Sequence, residues 1–241
     1  MEASDARKQS EVSGQCRLCG KTFTKRGLSR HLMTCRRRPR AGENTNSAKH
    51  SILVQVEGRY QPQYWLYLEM GPDADWSDLD QVLHNIWLEC CDHLSDFEFP
   101  ERRRLDAPRN HMFATAYIRD AQHEETASAA DADSVAATPV GTRWRYHYDF
   151  GSTTTLNLKA VAHLVAAPRG PAVRLLARNN PPDFRCVRCG GSATRLCSNC
   201  DEGLWCTACS RRHRCGSESL RPLINSPRTG VCADCGPSVE P

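Results

Sequence analysis

No run of about eighteen apolar residues occurs in this chain of 241 residues, so a membrane-spanning helix is not expected. The opening stretch MEASDARKQSEVSG is polar and has no apolar segment of the kind a secretory leader needs. Apolar side chains are sparse throughout. At 39% hydrophobic residues and a mean hydropathy of −0.59, the chain favours small units over one large core. The phosphate-cradling G-x-x-x-x-G-K-[ST], the G-x-S-x-G elbow and the H-E-x-x-H zinc-hydrolase signature are all missing. These absences lead us to expect a cytoplasmic, non-enzymatic protein with no membrane partner.

Cysteine is nearly absent from the middle of the chain and concentrated at its ends. Of fourteen cysteines, only Cys90 and Cys91 lie between the clusters at 16–35 and 186–235. Without a secretory leader, disulfides are the weaker explanation. Most of the clustered cysteines form Cys-x2-Cys pairs, in which a tight turn presents two thiolates to one metal, so zinc is the economical reading. Charge is equally uneven. Residues 1–50 carry +8, residues 51–180 carry −6 and residues 181–241 carry +2, giving the net +4. A basic arm on an acidic body points to an anionic partner.

The first cluster is Cys16-x2-Cys19-x11-His31-x3-Cys35. His31 and Cys35 are four apart, so a helix points both to one side, while Phe23 and Leu28 supply the small apolar core that a ββα finger needs. The pattern resembles the C2H2 family in its Cys-terminated (C2HC) form, one residue short between the ligand pairs. Base-reading positions therefore do not transfer by counting. Lys25, Arg26, Arg30, Arg36, Arg37, Arg38 and Arg40 occur within sixteen residues that contain no acid. Such a cluster can neutralise phosphates by counterion release, so DNA or RNA is the expected partner, with a solvated or protein-docking face as the alternative.

The second cluster offers Cys186, Cys189, Cys197, Cys200, Cys206, Cys209, His213 and Cys215 within thirty residues, enough for two tetrahedral sites. Interleaved pairing, as in B-box-like modules, would join Cys186/Cys189 with Cys206/Cys209 and Cys197/Cys200 with His213/Cys215. Consecutive pairing satisfies the spacing as well. Cys232 and Cys235 are further candidate ligands. Together the clusters predict about three zinc ions and no open catalytic coordination position. The C-terminal module is a candidate protein-docking unit.

Between the clusters, SILVQVEG and the alternating YWLYLEM read as strands. SDLDQVLHNIWLECC reads as a helix capped by Ser77 and Asp80, with Leu79, Val82, Leu83, Ile86, Trp87 and Cys90 in one apolar stripe. TRWRYHYDFG alternates Trp144, Tyr146, Tyr148 and Phe150 against Arg143, Arg145, His147 and Asp149, and STTTLNLKAVAHLVA and VRLLAR continue the strand character. The expected fold class is therefore an α+β central domain flanked by small zinc modules. Its parts are a disordered tail (1–14), a C2HC finger (15–35), a basic linker (36–50), the α+β domain (51–180, with a flexible loop at 121–139) and a Cys-rich module (181–241).

The segments running into HLSDF, the strand entry YDFGSTT and the ending NSPRTGVC are similar to the plasmid pRiA-type ORF-three-like domain, also known as a transposon passenger-protein domain. That resemblance covers residues 51–235. It implies a compact α+β fold in mostly bacterial proteins associated by name with mobile elements, and no established activity. Two alternatives accompany the adaptor reading. His147 and Asp149, two apart on a strand, could form an acid–base couple. The turn at YDFGSTT could hydrogen-bond a ligand, although threonine is also simply a good strand residue.

Overall fold

A computed structural model describes residues 12–39, 49–88, 93–99, 135, 138–166, 170–200 and 202–231. The expected loop 121–139 and helix end at Cys90 fall almost wholly outside these, as do Arg40, Cys232 and Cys235. No described helix is long and apolar enough to cross a membrane.

The segments read as strands form β3 (His50–Gly58), β4 (Trp65–Met70), β6 (Arg143–Tyr148), β7 (Thr154–Val165) and β8 (Val173–Asn179), while β5 (Ser95–Glu98) is a strand that the sequence pattern did not mark. Two further strands, β1 (Ser13–Cys16) and β2 (Thr22–Thr24), belong to the N-terminal cysteine cluster. All eight join one antiparallel sheet in the order β2-β1-β8-β4-β3-β7-β6-β5. The described chain is thus mostly β rather than evenly α+β, with few and short helices.

The finger is not a separate module. Strand β1 pairs with β8, Gly14 opposite Asn179 and Cys16 opposite Ala177, so the metal-ligand hairpin is an extension of the central sheet. Gly14 permits this approach, because a Cβ there would lie 2.3 Å from both the Trp65 ring and the Arg178 carbonyl. The tail expected to run through residue 14 therefore gives way to ordered strand at Ser13.

Each face of the sheet is covered by one helix. Helix α1 (Lys25–Thr34) buries Leu28 and Leu32 against Leu53, Trp65, Tyr67, Leu164 and Leu176. Helix α2 (Trp76–Leu83), continued by a π-helical turn at His84–Leu88, places Leu79, Leu83, Ile86 and Trp87 against Ile52, Val54, Leu66, Leu68, Tyr146 and Leu158. This double cover explains β4. Its side chains are all buried, so WLYLEM packs apolar residues on both faces and is not a half-solvated strand.

Helix α2 starts earlier than its sequence signal. Asp75, not Ser77, is the N-cap: its carboxylate accepts from the Asp78 amide at 2.8 Å while Asp78 accepts from the Asp75 amide at 3.0 Å. The earlier start lets Trp76 pack edge-on against Trp144, 5.6 Å between ring centroids. Asp80, freed from capping, accepts from Ser95 and Tyr146, both at 2.6 Å.

The segments YDFGST and NSPRT meet. Asp149 adopts a left-handed backbone conformation (φ 62°), tolerable for Asp because its carboxylate accepts from the Gly151 and Ser152 amides at 2.9 and 3.2 Å. Its other oxygen accepts at 2.5 Å from Arg228, which is fully buried and also donates to the Ser152 carbonyl and to Thr154 Oγ1, each at 3.1 Å. The guanidinium lies 4.8 Å from the Tyr148 ring centroid. Neighbouring Ser226 donates to the Trp87 carbonyl at 2.7 Å. The groups of YDFGST that could have held a ligand thus hold the chain's own arginine. His147 and Asp149 do not form a couple, since the left-handed turn carries Asp149 away while His147 faces Glu98 at 3.0 Å.

Arg228→Ala is expected to leave buried Asp149 without its arginine, with only the turn amides and His93 at 3.7 Å beside it, lowering unfolding free energy by about 3–5 kcal/mol. A lower urea midpoint at unchanged slope would show it. The Arg228 guanidinium, aided by the turn amides, pulls the Asp149 carboxyl down to about 2. A depressed carboxylate stabilises fully above its unfolded value of about 4 and loses that contribution as pH falls through about 2. The difference between wild type and variant should therefore shrink in that acid window.

Candidate metal centres

Three groups of four side chains converge: Cys16, Cys19, His31 and Cys35; Cys186, Cys189, Cys206 and Cys209; and Cys197, Cys200, His213 and Cys215. Within each group all ligand atoms lie within 4.8 Å of one another. Zinc–sulfur and zinc–nitrogen bond lengths place tetrahedral ligands about 3.8 Å apart for two sulfurs and about 3.6 Å for sulfur and nitrogen. The observed separations are 3.7 Å for Cys189–Cys206, 3.3 Å for Cys19–His31 and 3.5 Å for Cys200–His213. Each group could hold one metal ion, and thiolate–imidazole sets of this size suit zinc.

Local geometry builds each site. In the first, Gly20 turns with φ 73° so that its amide donates to the Cys16 carbonyl at 2.8 Å, folding the Cys16–Cys19 knuckle. Thr24 caps α1 through the Gly27 amide at 3.1 Å, and the helix delivers His31, stacked on Phe23 at 4.4 Å between centroids, and then Cys35. Phe23 and Leu28 pack as the finger pattern requires, but against the sheet as well as each other.

In the C-terminal region, β9 (Arg195–Cys197) pairs with both β10 (Leu204–Trp205) and β11 (Leu220–Pro222). The β9–β10 hairpin returns the chain to the first knuckle, where the Val187 amide donates to the Leu204 carbonyl at 2.8 Å. That return sets Cys206 beside Cys189, and the short helix α3 (Thr207–Ser210) supplies Cys209. The pairing is therefore interleaved, not consecutive. His213 turns its Nδ1 towards Glu202 at 3.6 Å, which orients the ring and leaves Nε2 for the metal.

The thiol electrostatics are divided within each cluster. Burial raises the Cys16 thiol to about 11, the Cys206 thiol side chain and burial push Cys209 to about 12, and burial with Cys200 raises Cys215 to about 11. Hydrogen bonding from the backbone at Cys206 lowers Cys186 to about 6. For Cys197 burial opposes ionisation, yet the Asn199 amide and His213 bring it down to about 6. Each cluster therefore combines a thiol whose ionisation is favoured with one held neutral by burial and by its thiol neighbours. A divalent ion removes the conflict. Burial likewise lowers His31, favouring the neutral imidazole that binds metal.

The basic residues near the finger divide into two sets. Arg26, Arg30, Arg36 and Arg37 are exposed. Lys25 pairs with Glu57 at 2.7 Å. Arg38 corrects the reading of 36–50 as a simple basic linker: it is 5% exposed, bonded to Glu69 at 3.1 Å and to the Val165 carbonyl at 2.8 Å. Its guanidinium closes the fold and is not displayed to a partner. Sequence spacing could not separate Arg38 from Arg37, because the difference is made by Glu69, 31 residues on.

No protein-family model matches the chain, and no curated protein matches it. Among solved structures it is similar to a protein of unknown function, MM3350 from Methanosarcina mazei Go1. Identity is 11%, coverage is 54% of this chain and 68% of that one, and the TM-score is 0.38.

Purified protein is expected to carry about three zinc ions. Since the clusters share no ligand, Cys186→Ala and Cys197→Ala should each lose about one by elemental analysis. Cys16→Ala should lose one and also destabilise the whole sheet through β1. Binding releases thiol protons, so retention should fall as pH falls, as a chelator titration across pH would show.

Proposed function

We propose that the protein is a non-catalytic, zinc-stabilised adaptor that associates with nucleic acid through its N-terminal finger. The observation that carries this reading is the set of exposed arginines Arg26, Arg30, Arg36 and Arg37 on and just after α1, in a stretch from 17 to 39 without one acid. Arg26 and Arg30 stand one turn apart on α1, opposite the face that buries Leu28 and Leu32, and Arg36 and Arg37 follow just past its end. Metal at Cys16, Cys19, His31 and Cys35 would hold this helix on the sheet, so the cations are presented from a rigid support. Backbone phosphates, not base edges, are the natural target of such an array. The resemblance of HLSDF, YDFGSTT and NSPRTGVC to plasmid ORF-three-like domains supports an association with bacterial mobile elements as part of the same proposal. The C-terminal zinc module, tied down through Arg228, would then serve as the docking unit for a protein.

The test is salt dependence. Replacing Arg26, Arg30, Arg36 and Arg37 by Ala should flatten the slope of log K against log salt for duplex DNA by up to about 3–4. Zinc content should be unchanged. Binding that does not vary with salt, or a variant slope equal to wild type, would move the reading to a protein-docking adaptor.

A further inference from the structure

On the α1-bearing side of the sheet, beyond the region the helix covers, lies an open groove of about 520 Å³. Its walls include Arg59, Arg143, Arg145 and Lys159, with Glu57 and Glu98 as its acids. These positions come from four adjacent strands, or their ends, and face one way through the two-residue period: Arg143 pairs in register with Lys159, and Arg145 with both Asn157 and Glu98.

The selection of charge is informative. Residues 51–180 are acidic overall, yet among their six described cations four line this groove. The other two serve the fold: Arg174 lies 3.8 Å from Glu69, and Arg178 donates to the Asn225 carbonyl at 2.6 Å. Both acids of the groove are already compensated. Glu57 meets Lys25 at 2.7 Å, and Glu98 meets Arg145 at 2.9 Å and His147 at 3.0 Å. Lys25 opens α1, and its backbone carbonyl accepts from Tyr67 Oη at 2.9 Å. The groove therefore begins where the finger helix begins.

An aromatic stands at the rim. Tyr60 is 78% exposed, and the Arg59 guanidinium sits 5.5 Å from its ring centroid. The Arg59 amide is fixed to the Thr155 carbonyl at 2.9 Å, which holds the pair beside β7. An exposed ring next to a cationic groove offers stacking to an unpaired base, a surface that duplex DNA keeps inside its own stack.

We infer that the groove lined by Arg59, Arg143 and Lys159 binds single-stranded nucleic acid, its phosphates along these sheet cations and a base on Tyr60, as a continuation of the finger's cationic helix. This rests on the nucleic-acid reading above and adds the second contact surface and the strandedness. The finger alone offers phosphate contacts without a stacking platform, whereas the two together span a longer path along one strand.

The experiment uses the full zinc-loaded chain and a fluorescein-labelled oligo(dT) strand, followed by anisotropy over a salt series, with a duplex of equal length beside it. Arg143→Ala/Lys159→Ala should reduce the salt slope for the single strand by about 1.4, from about 0.7 per lost phosphate contact. Tyr60→Ala should weaken the single strand about tenfold and leave the duplex unchanged. Circular dichroism and zinc content should match wild type, since Tyr60 and Arg143 are exposed. If the finger arginine variant loses oligo(dT) while both groove variants bind as wild type, the groove inference is overturned and the finger reading stands. If the wild type binds neither strand nor duplex, both are overturned.

Discussion

Antiparallel pairing of β1 with β8 is the contact on which the rest of the structure depends. Through it the first Cys-x2-Cys hairpin becomes the edge of an eight-stranded sheet. A ββα finger alone has too small a core to stand without metal, but here Leu28 and Leu32 bury against Trp65, Tyr67 and Leu176 of the sheet. The sheet gains from the same contact, because α1 covers a face that would otherwise expose those aromatics. A metal held by this cluster would thereby be linked to sheet stability, and the outward face of α1 is fixed in direction.

The second end of the chain is fastened by different physics. Arg228 enters a site made by the Asp149 turn, with every named partner on the segment 149–154 and Tyr148 stacked beneath it. A buried guanidinium is costly without full pairing, and this one has a carboxylate, a carbonyl and a hydroxyl. Asn225 adds a bond to Asn179 at 2.7 Å and Ser226 one to Trp87. The C-terminal module is thus held at the level of β8 and the end of α2, beyond its last described candidate ligand.

These two attachments sort the cations. Arg38, Arg174 and Arg228 turn inward to Glu69 and Asp149, where they position elements. Arg26, Arg30, Arg36 and Arg37 remain outward on one support, and Arg59, Arg143 and Lys159 face the open groove. The net charge of +4 conceals this division, since internal ion pairs and the acidic remainder cancel much of what is displayed.

Local pattern determined much by itself. Ligand spacing identified the twelve side chains that form the three metal groups, because two thiolates on one turn and two ligands four apart on a helix are short-range geometry. Two-residue alternation likewise located β6, and the 3.6-residue stripe located α2. Tertiary structure alone decided the interleaved pairing, the welding of the finger to β8, the inward turn of Arg38 and the partnership of Asp149 with Arg228. The separations explain why: Arg228 lies 79 residues from Asp149 and Arg38 lies 31 from Glu69, far beyond any helical or strand period. Buried polar groups choose partners by proximity in the packed state, where an unpaired charge is most costly, and that proximity is a property of the whole sheet.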